Sequence, residues 1–91
     1  MEITFDPAKN ARNIVERGLS FDLVAEFDFQ TAVFWVDDRK DYGETRYSGL
    51  GLLRGRVHAL VFAETVNGIR VISFRKANTR EVRRYEQATQ P

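Results

Sequence analysis

Four β-forming runs follow one another from Thr31 to Lys76, and they constrain this chain more than any other feature. They are "TAVFWVDD", "TRYSGLGLL", "RVHALVFAET" and "IRVISFRK". Each is rich in the branched and aromatic residues that fit a pleated surface. The breaks between them are short. "DDRKDYGE" reads as a polar loop, Arg54–Gly55 as a turn, and Asn67–Gly68 as a tight type I′ hairpin, since both residues tolerate positive φ. The expectation is an antiparallel meander of four strands, with Gly49 and Gly51 marking a bulge or a close approach in the second.

The flanks read as helices. Met1 to Phe5 is a short strand with Ile3 and Phe5 on one side, and Asp6–Pro7 begins a helix by capping and by a preset φ. That helix is expected to bury Ala8, Ala11, Ile14 and Val15 and to stop at Gly18. Ser20 caps a second short helix carrying Phe21, Val24 and Ala25, which forms a hairpin with the first. Asn78 with Glu81 three residues on predicts a capped last helix running to about Ala88. The fold class is therefore α+β: strand, helical hairpin, four-stranded antiparallel meander and C-terminal helix, with the helices mainly on one face.

If both hairpins have two-residue loops, Val57, Ala59, Val61 and Ala63 share a face with Leu50, Leu52, Ile72 and Phe74. That aliphatic face is expected under the helices. The opposite face carries Tyr47, His58, Leu60, Phe62, Glu64, Ser73 and Arg75, a mixture that suits an open ligand groove.

Composition narrows the function classes. At 91 residues the chain reads as one domain over residues 1–91, and without cysteine neither a disulfide framework nor a thiolate metal site is available. No apolar run reaches membrane-spanning length, and "MEITFDP" lacks the pattern of a signal peptide, so the cytoplasm is the expected compartment. The formal net charge is only +1, yet it is unevenly spread. Asp22 to Glu44 holds seven acids and two bases, whereas Arg70 to Glu86 holds six bases and two acids. A basic end of this kind is either a solvated helix face or a surface for phosphate or an acidic protein.

Three separated motifs carry a family resemblance. "FDPAKNARNIVERGLSFD", "ETRYSGLG" and "IRVISFRKANTREVRRYE" resemble, in the same order, segments of BrnT-type toxins. These are the toxin halves of bacterial BrnT–BrnA toxin–antitoxin systems, similar in fold to RelE-type ribonucleases. Asp6, Pro7, Lys9, Asn13, Gly18 and Phe21 match the first motif; Glu44, Arg46 and Gly51 match the second. Arg70, Ile72, Ser73, Arg75, Ala77, Glu81 and Tyr85 match the third. One departure is that Glu16–Arg17 stands where the family usually has Lys-His. The resemblance implies a cytoplasmic ribonuclease that inhibits translation and is neutralised by a BrnA-like, DNA-binding antitoxin. It implies operator contact only through that antitoxin, and no membrane partner. The departure supports an alternative, a catalytically weak toxin-like binding module in an antitoxin–operator repressor complex.

RNA is cleaved without cofactor or metal when its 2′-OH attacks the adjacent phosphorus and the protein stabilises the charge that develops. One histidine rules out a two-histidine mechanism, and arginine suits the phosphate because its planar fork stays charged. Arg75, Arg46 and Arg70 are therefore the phosphate-facing candidates, with Glu64 as base. Their structural alternatives are a surface ion pair for Arg75, pairing with Glu44 for Arg46, and a solvated strand end for Glu64. Lys76, Arg80, Arg83 and Arg84 are expected to meet RNA backbone or the antitoxin. Tyr85 either stacks on a base or packs against the sheet, and Glu81 is expected to cap the last helix. His58 is expected to be a hydrogen-bonded strand residue, and Trp35 with Phe34 either core or antitoxin interface. Asp37, Asp38, Asp41 and Glu44 lack an ordered metal-ligand pattern and read as a solvated loop.

Overall fold

In a computed structural model, which describes residues 1–90, the chain forms a five-stranded mixed sheet with helices on both faces. The elements are β1 (Glu2–Phe5), α1 (Pro7–Arg17), a 3₁₀ helix (Phe21–Glu26), β2 (Val33–Asp37), β3 (Arg46–Leu53), β4 (Arg56–Glu64), β5 (Gly68–Lys76) and α2 (Thr79–Thr89). The sheet order is β1-β5-β4-β3-β2. The four meander strands are antiparallel, and β1 adds to β5 in parallel. The α+β class and the element order are as expected from sequence.

Local signals explain the helix ends. Asp6 caps α1 by accepting from the Ala8 amide at 2.9 Å, and Gly18 closes it in the left-handed region at φ 65°. Asn78 and Glu81 form a reciprocal capping box on α2.

The hairpins differ from expectation in an instructive way. The paired positive φ values fall at Arg54 (51°) and Gly55 (80°), which join Leu53 to Arg56 by the tight turn expected at the next hairpin. Asn67–Gly68 is not that turn. The β4–β5 loop is residues 65–67, closed by the Thr65 amide donating to the Gly68 carbonyl at 2.9 Å, and neither Asn67 nor Gly68 has positive φ. Gly68 instead has no room for a Cβ, because the Glu2 backbone crosses directly over it where β1 joins the sheet. Likewise, β3 stays regular at Gly49 and Gly51, and the rings of Phe34 and Phe27 lie over them.

A bulge in β5 decides which residues face where. From the loop, Glu64 pairs with Ile69 and Phe62 with Val71, but Val61 pairs with Ser73, leaving Ile72 as an extra residue. Beyond it Leu60 faces Phe74 and Ala59 faces Arg75. The expected register is thus corrected by one residue after Ile72, which exchanges the faces of Ser73 to Lys76. Phe74 turns into the core and is completely buried; Arg75 turns to the side of Ala59.

The expected open face is likewise corrected. Leu60, Phe62, Val71 and Phe74 form the main core with Phe21, Val24 and Phe27 from the 3₁₀ helix and its continuation. Aromatic rings offer the largest apolar area for burial, so this face holds the main core. His58 is buried on it, with Nδ1 hydrogen-bonded to the Arg56 carbonyl at 2.8 Å, and desolvation lowers its pKa. The opposite face, with Leu50, Val57 and Ala59, packs only against α2 through Tyr85 and Val82. α2 covers part of it and leaves a hollow beside it.

α1 also departs from expectation. Ala8, Ala11, Ile14 and Val15 are exposed, and no α1 residue is fully buried. The helix docks by polar groups: Asn13 Nδ2 donates to the carbonyls of Leu19 (2.8 Å) and Phe74 (2.9 Å), and Asn10 Oδ1 accepts from the Phe21 amide (2.8 Å). Among the described residues, no helix is long and apolar enough to cross a membrane.

Candidate nucleic-acid site

The α2 face of the sheet carries an arginine-lined recess. Three guanidinium groups reach it from different elements: Arg39 from the loop after β2, Arg46 from the start of β3, and Arg75 from β5 past the bulge. Tyr42, Ser73 and Asp37 share its wall, and its volume is about 190 Å³. Strand alternation explains the convergence, because Asp37 lies opposite Arg46, and Ala59 opposite Arg75, on one side of the sheet.

Carboxylates hold these cations. Asp37 is buried and accepts from Arg39 Nε and Nη2, both at 2.8 Å, with the Tyr42 hydroxyl donating to it at 3.3 Å. This fork pulls the Asp37 pKa from 3.8 to about 2. The Arg39 side chain is nonetheless 74% exposed, so it is fixed at one edge and open at the other. Arg75 donates to both oxygens of Glu81, at 2.8 and 3.0 Å. The same carboxylate closes the α2 capping box by accepting from the Asn78 amide at 2.9 Å, so one residue starts the helix and orients the arginine. That pairing lowers the Glu81 pKa and raises that of Arg75, against which the nearby positive charge of Arg39 works.

Arg46 takes the pairing role weighed for it and also lines the recess. It donates to Glu44 at 3.2 Å and lies 4.2 Å above the Tyr42 ring centroid, while lining the recess with Arg75. Arg70 donates to the same Glu44 oxygen, so it joins the cluster through a shared carboxylate, and this pairing lowers the Glu44 pKa. Asp41 turns inward to its own loop, accepting from the Gly43 amide at 2.9 Å.

The other sequence candidates separate. Glu64 lies on the α1 face, where its carboxylate raises the pKa of Tyr47, so strand alternation puts it across the sheet from Arg75 and Arg46. Lys76 pairs opposite His58 on that same face. Tyr85 is corrected: its ring is buried between α2 and Leu50, Val57 and Ala59, which is packing and leaves no face for a base. Arg80 and Arg83 are exposed on α2. Arg84 extends over Trp35, 3.8 Å from the indole centroid. Trp35 is half-buried against the α2 core cluster.

Arg39 was not anticipated. It sits in a stretch whose acids and bases read as solvated loop. The signal was the Asp37–x–Arg39 spacing at a strand end, where an inward carboxylate can hold an arginine two residues on.

Asp37 lines this hollow with the three guanidinium groups, while Glu81 and Glu44 pair with Arg75 and Arg46 from outside its lining, and arginines gathered in one open recess suit an anion. A small α+β protein with an arginine-walled, carboxylate-braced recess is the class that fold and site define. Residues 5–81 match the family described as "Ribonuclease toxin, BrnT, of type II toxin-antitoxin system", and the chain belongs to that family. No curated protein matches the chain. Family membership makes this a ribonuclease toxin of a type II system, with an antitoxin as partner.

Proposed function

We propose that the Arg39–Arg46–Arg75 recess binds the scissile phosphate of RNA and that the chain cleaves it without a metal ion. The observation that carries this reading is the convergence of the three guanidinium groups on one open hollow. The 2′-oxygen attacks phosphorus, forming the P–O2′ bond as the P–O5′ bond breaks, and leaves a cyclic phosphate and a 5′-hydroxyl. Arg75 and Arg39 stabilise the charge gathering on the non-bridging oxygens. The 2′-OH proton passes to water in the exposed recess. Tyr42 supplies a proton to the departing oxygen and regains one from solvent. Asp37 and Glu81 are ion-paired carboxylates with lowered pKa values, so they position arginines rather than accept protons.

Arg70 tunes the cluster through Glu44, while Arg80, Arg83 and Arg84 extend its positive surface along α2. Cleavage of cytoplasmic RNA inhibits translation. The antitoxin neutralises the toxin by covering the recess and α2, and contacts operator DNA itself.

The test is cleavage of single-stranded RNA in EDTA. Wild type cuts, Arg75→Ala does not, and circular dichroism shows both folded. Inert wild type that still binds the antitoxin contradicts this reading and leaves the binding module. Glu16 and Arg17 lie outside the lining of the arginine recess, so this reading assigns them no part in holding the phosphate.

A further inference from the structure

A second hollow, of about 250 Å³, adjoins the phosphate recess and shares Asp37, Arg39, Ala59, Val61 and Arg75 with it. Its far wall differs in chemistry. Trp35 and Arg84 replace Arg46 and Tyr42 there, with the Ser48 hydroxyl between strands. Arg84 Cζ lies 3.8 Å from the Trp35 ring centroid, so one face of the planar guanidinium rests on the indole. Arg84 is exposed, so its other face is available on the solvent side. A guanidinium held flat by an aromatic ring is a stacking surface for an unpaired base.

Resting on the ribonuclease reading above, we infer that this hollow is a nucleobase subsite, in which the base beside the bound phosphate stacks on Arg84 over Trp35. The two hollows then hold adjacent parts of one strand: the phosphate between Arg39 and Arg75, and the base against Arg84. A duplex does not fit, because its bases are stacked on their neighbours. The substrate class is single-stranded RNA with at least one splayed base. Trp35 and Arg84 set how strongly it is held, and Ser48 can hydrogen-bond a base edge.

Trp35 is the one tryptophan in the chain, so its fluorescence reports the subsite directly. The probe is a 2′-O-methyl RNA trinucleotide, which lacks the attacking hydroxyl, compared with versions made abasic at each position in turn. Removing one particular base is expected to weaken binding by about tenfold or more and to abolish the Trp35 response. Arg84→Lys, which keeps the charge and loses the plane, is expected to lose that discrimination while keeping the salt-dependent affinity. Equal binding of all abasic versions overturns the subsite, as does an Arg84→Lys variant that still discriminates. Cleavage of ordinary RNA by the same preparation separates the two claims. Wild type that cuts but is indifferent to base loss overturns the subsite alone; wild type that neither cuts nor binds overturns both.

Discussion

Arg75 illustrates how single residues are prepared in this protein. Its guanidinium is gripped along one edge by Glu81, as Arg39 is by Asp37, which removes rotamer freedom before any ligand arrives. Arg75→Ala should lower the cleavage rate by about 10²-fold or more, read in single-turnover assays, with Arg75→Lys intermediate. The Asp37 pair sets a pH signature. Its folded pKa of about 2 lies below the ordinary 3.8, so its stabilisation is complete above that ordinary value and is lost as pH falls toward 2. Urea midpoints measured across that window should drop for wild type and vary less for Asp37→Asn. At this scale the Glu81 cap was legible in the sequence; Arg75 and Arg46 were singled out there, but the expected register put Arg75 on the wrong face of the sheet. Arg39 was not legible, because its meaning depends on Asp37 being buried, and the burial of a strand-end carboxylate has no local sequence mark.

Among the elements, the β5 bulge matters most. One extra residue at Ile72 turns Phe74 into the core and Arg75 out to the recess. Deleting Ile72 should place Ser73 directly after Val71 and opposite Val61, making β5 regular with Phe74 still in the core and Arg75 still at the recess, so the product should keep a cooperative thermal transition. α1 makes a second point, because it is held by asparagines rather than by its apolar stripe. Asn13→Ala strips donors from the Leu19 and Phe74 carbonyls and should cost about 1–3 kcal/mol in urea unfolding. Val15→Glu, at a site 86% exposed, should change stability by no more than about 0.5 kcal/mol. The order of the four meander strands, the Arg54–Gly55 turn and both helix caps were legible because each rests on neighbours in sequence, whereas the parallel place of β1 beside β5 joins distant segments and was not. The bulge and the docking of α1 were not, since no glycine or proline marks the one and distant carbonyls decide the other.

For the whole molecule, the sheet divides its work between faces. The aromatic face makes the main core, and the aliphatic face, only partly roofed by α2, presents the arginines. The near-neutral total hides this arrangement, and the basic C-terminal third points to it only in part, because Arg39 lies within the acidic stretch and Arg46 just beyond it. The proposed cover of the recess and α2 by the antitoxin predicts that saturating antitoxin abolishes RNA cleavage, measured by titration. The most direct measurement is single-turnover cleavage of single-stranded RNA in EDTA by four variants of matched charge loss. Arg39→Ala, Arg46→Ala and Arg75→Ala remove guanidinium groups from the recess, whereas Arg56→Ala removes one from the other end of β4, on the opposite face. The expected result is a large loss of rate in the first three and near wild-type rate in the fourth. Equal losses in all four, or none in the first three, would contradict an RNA-cleaving centre on the α2 face.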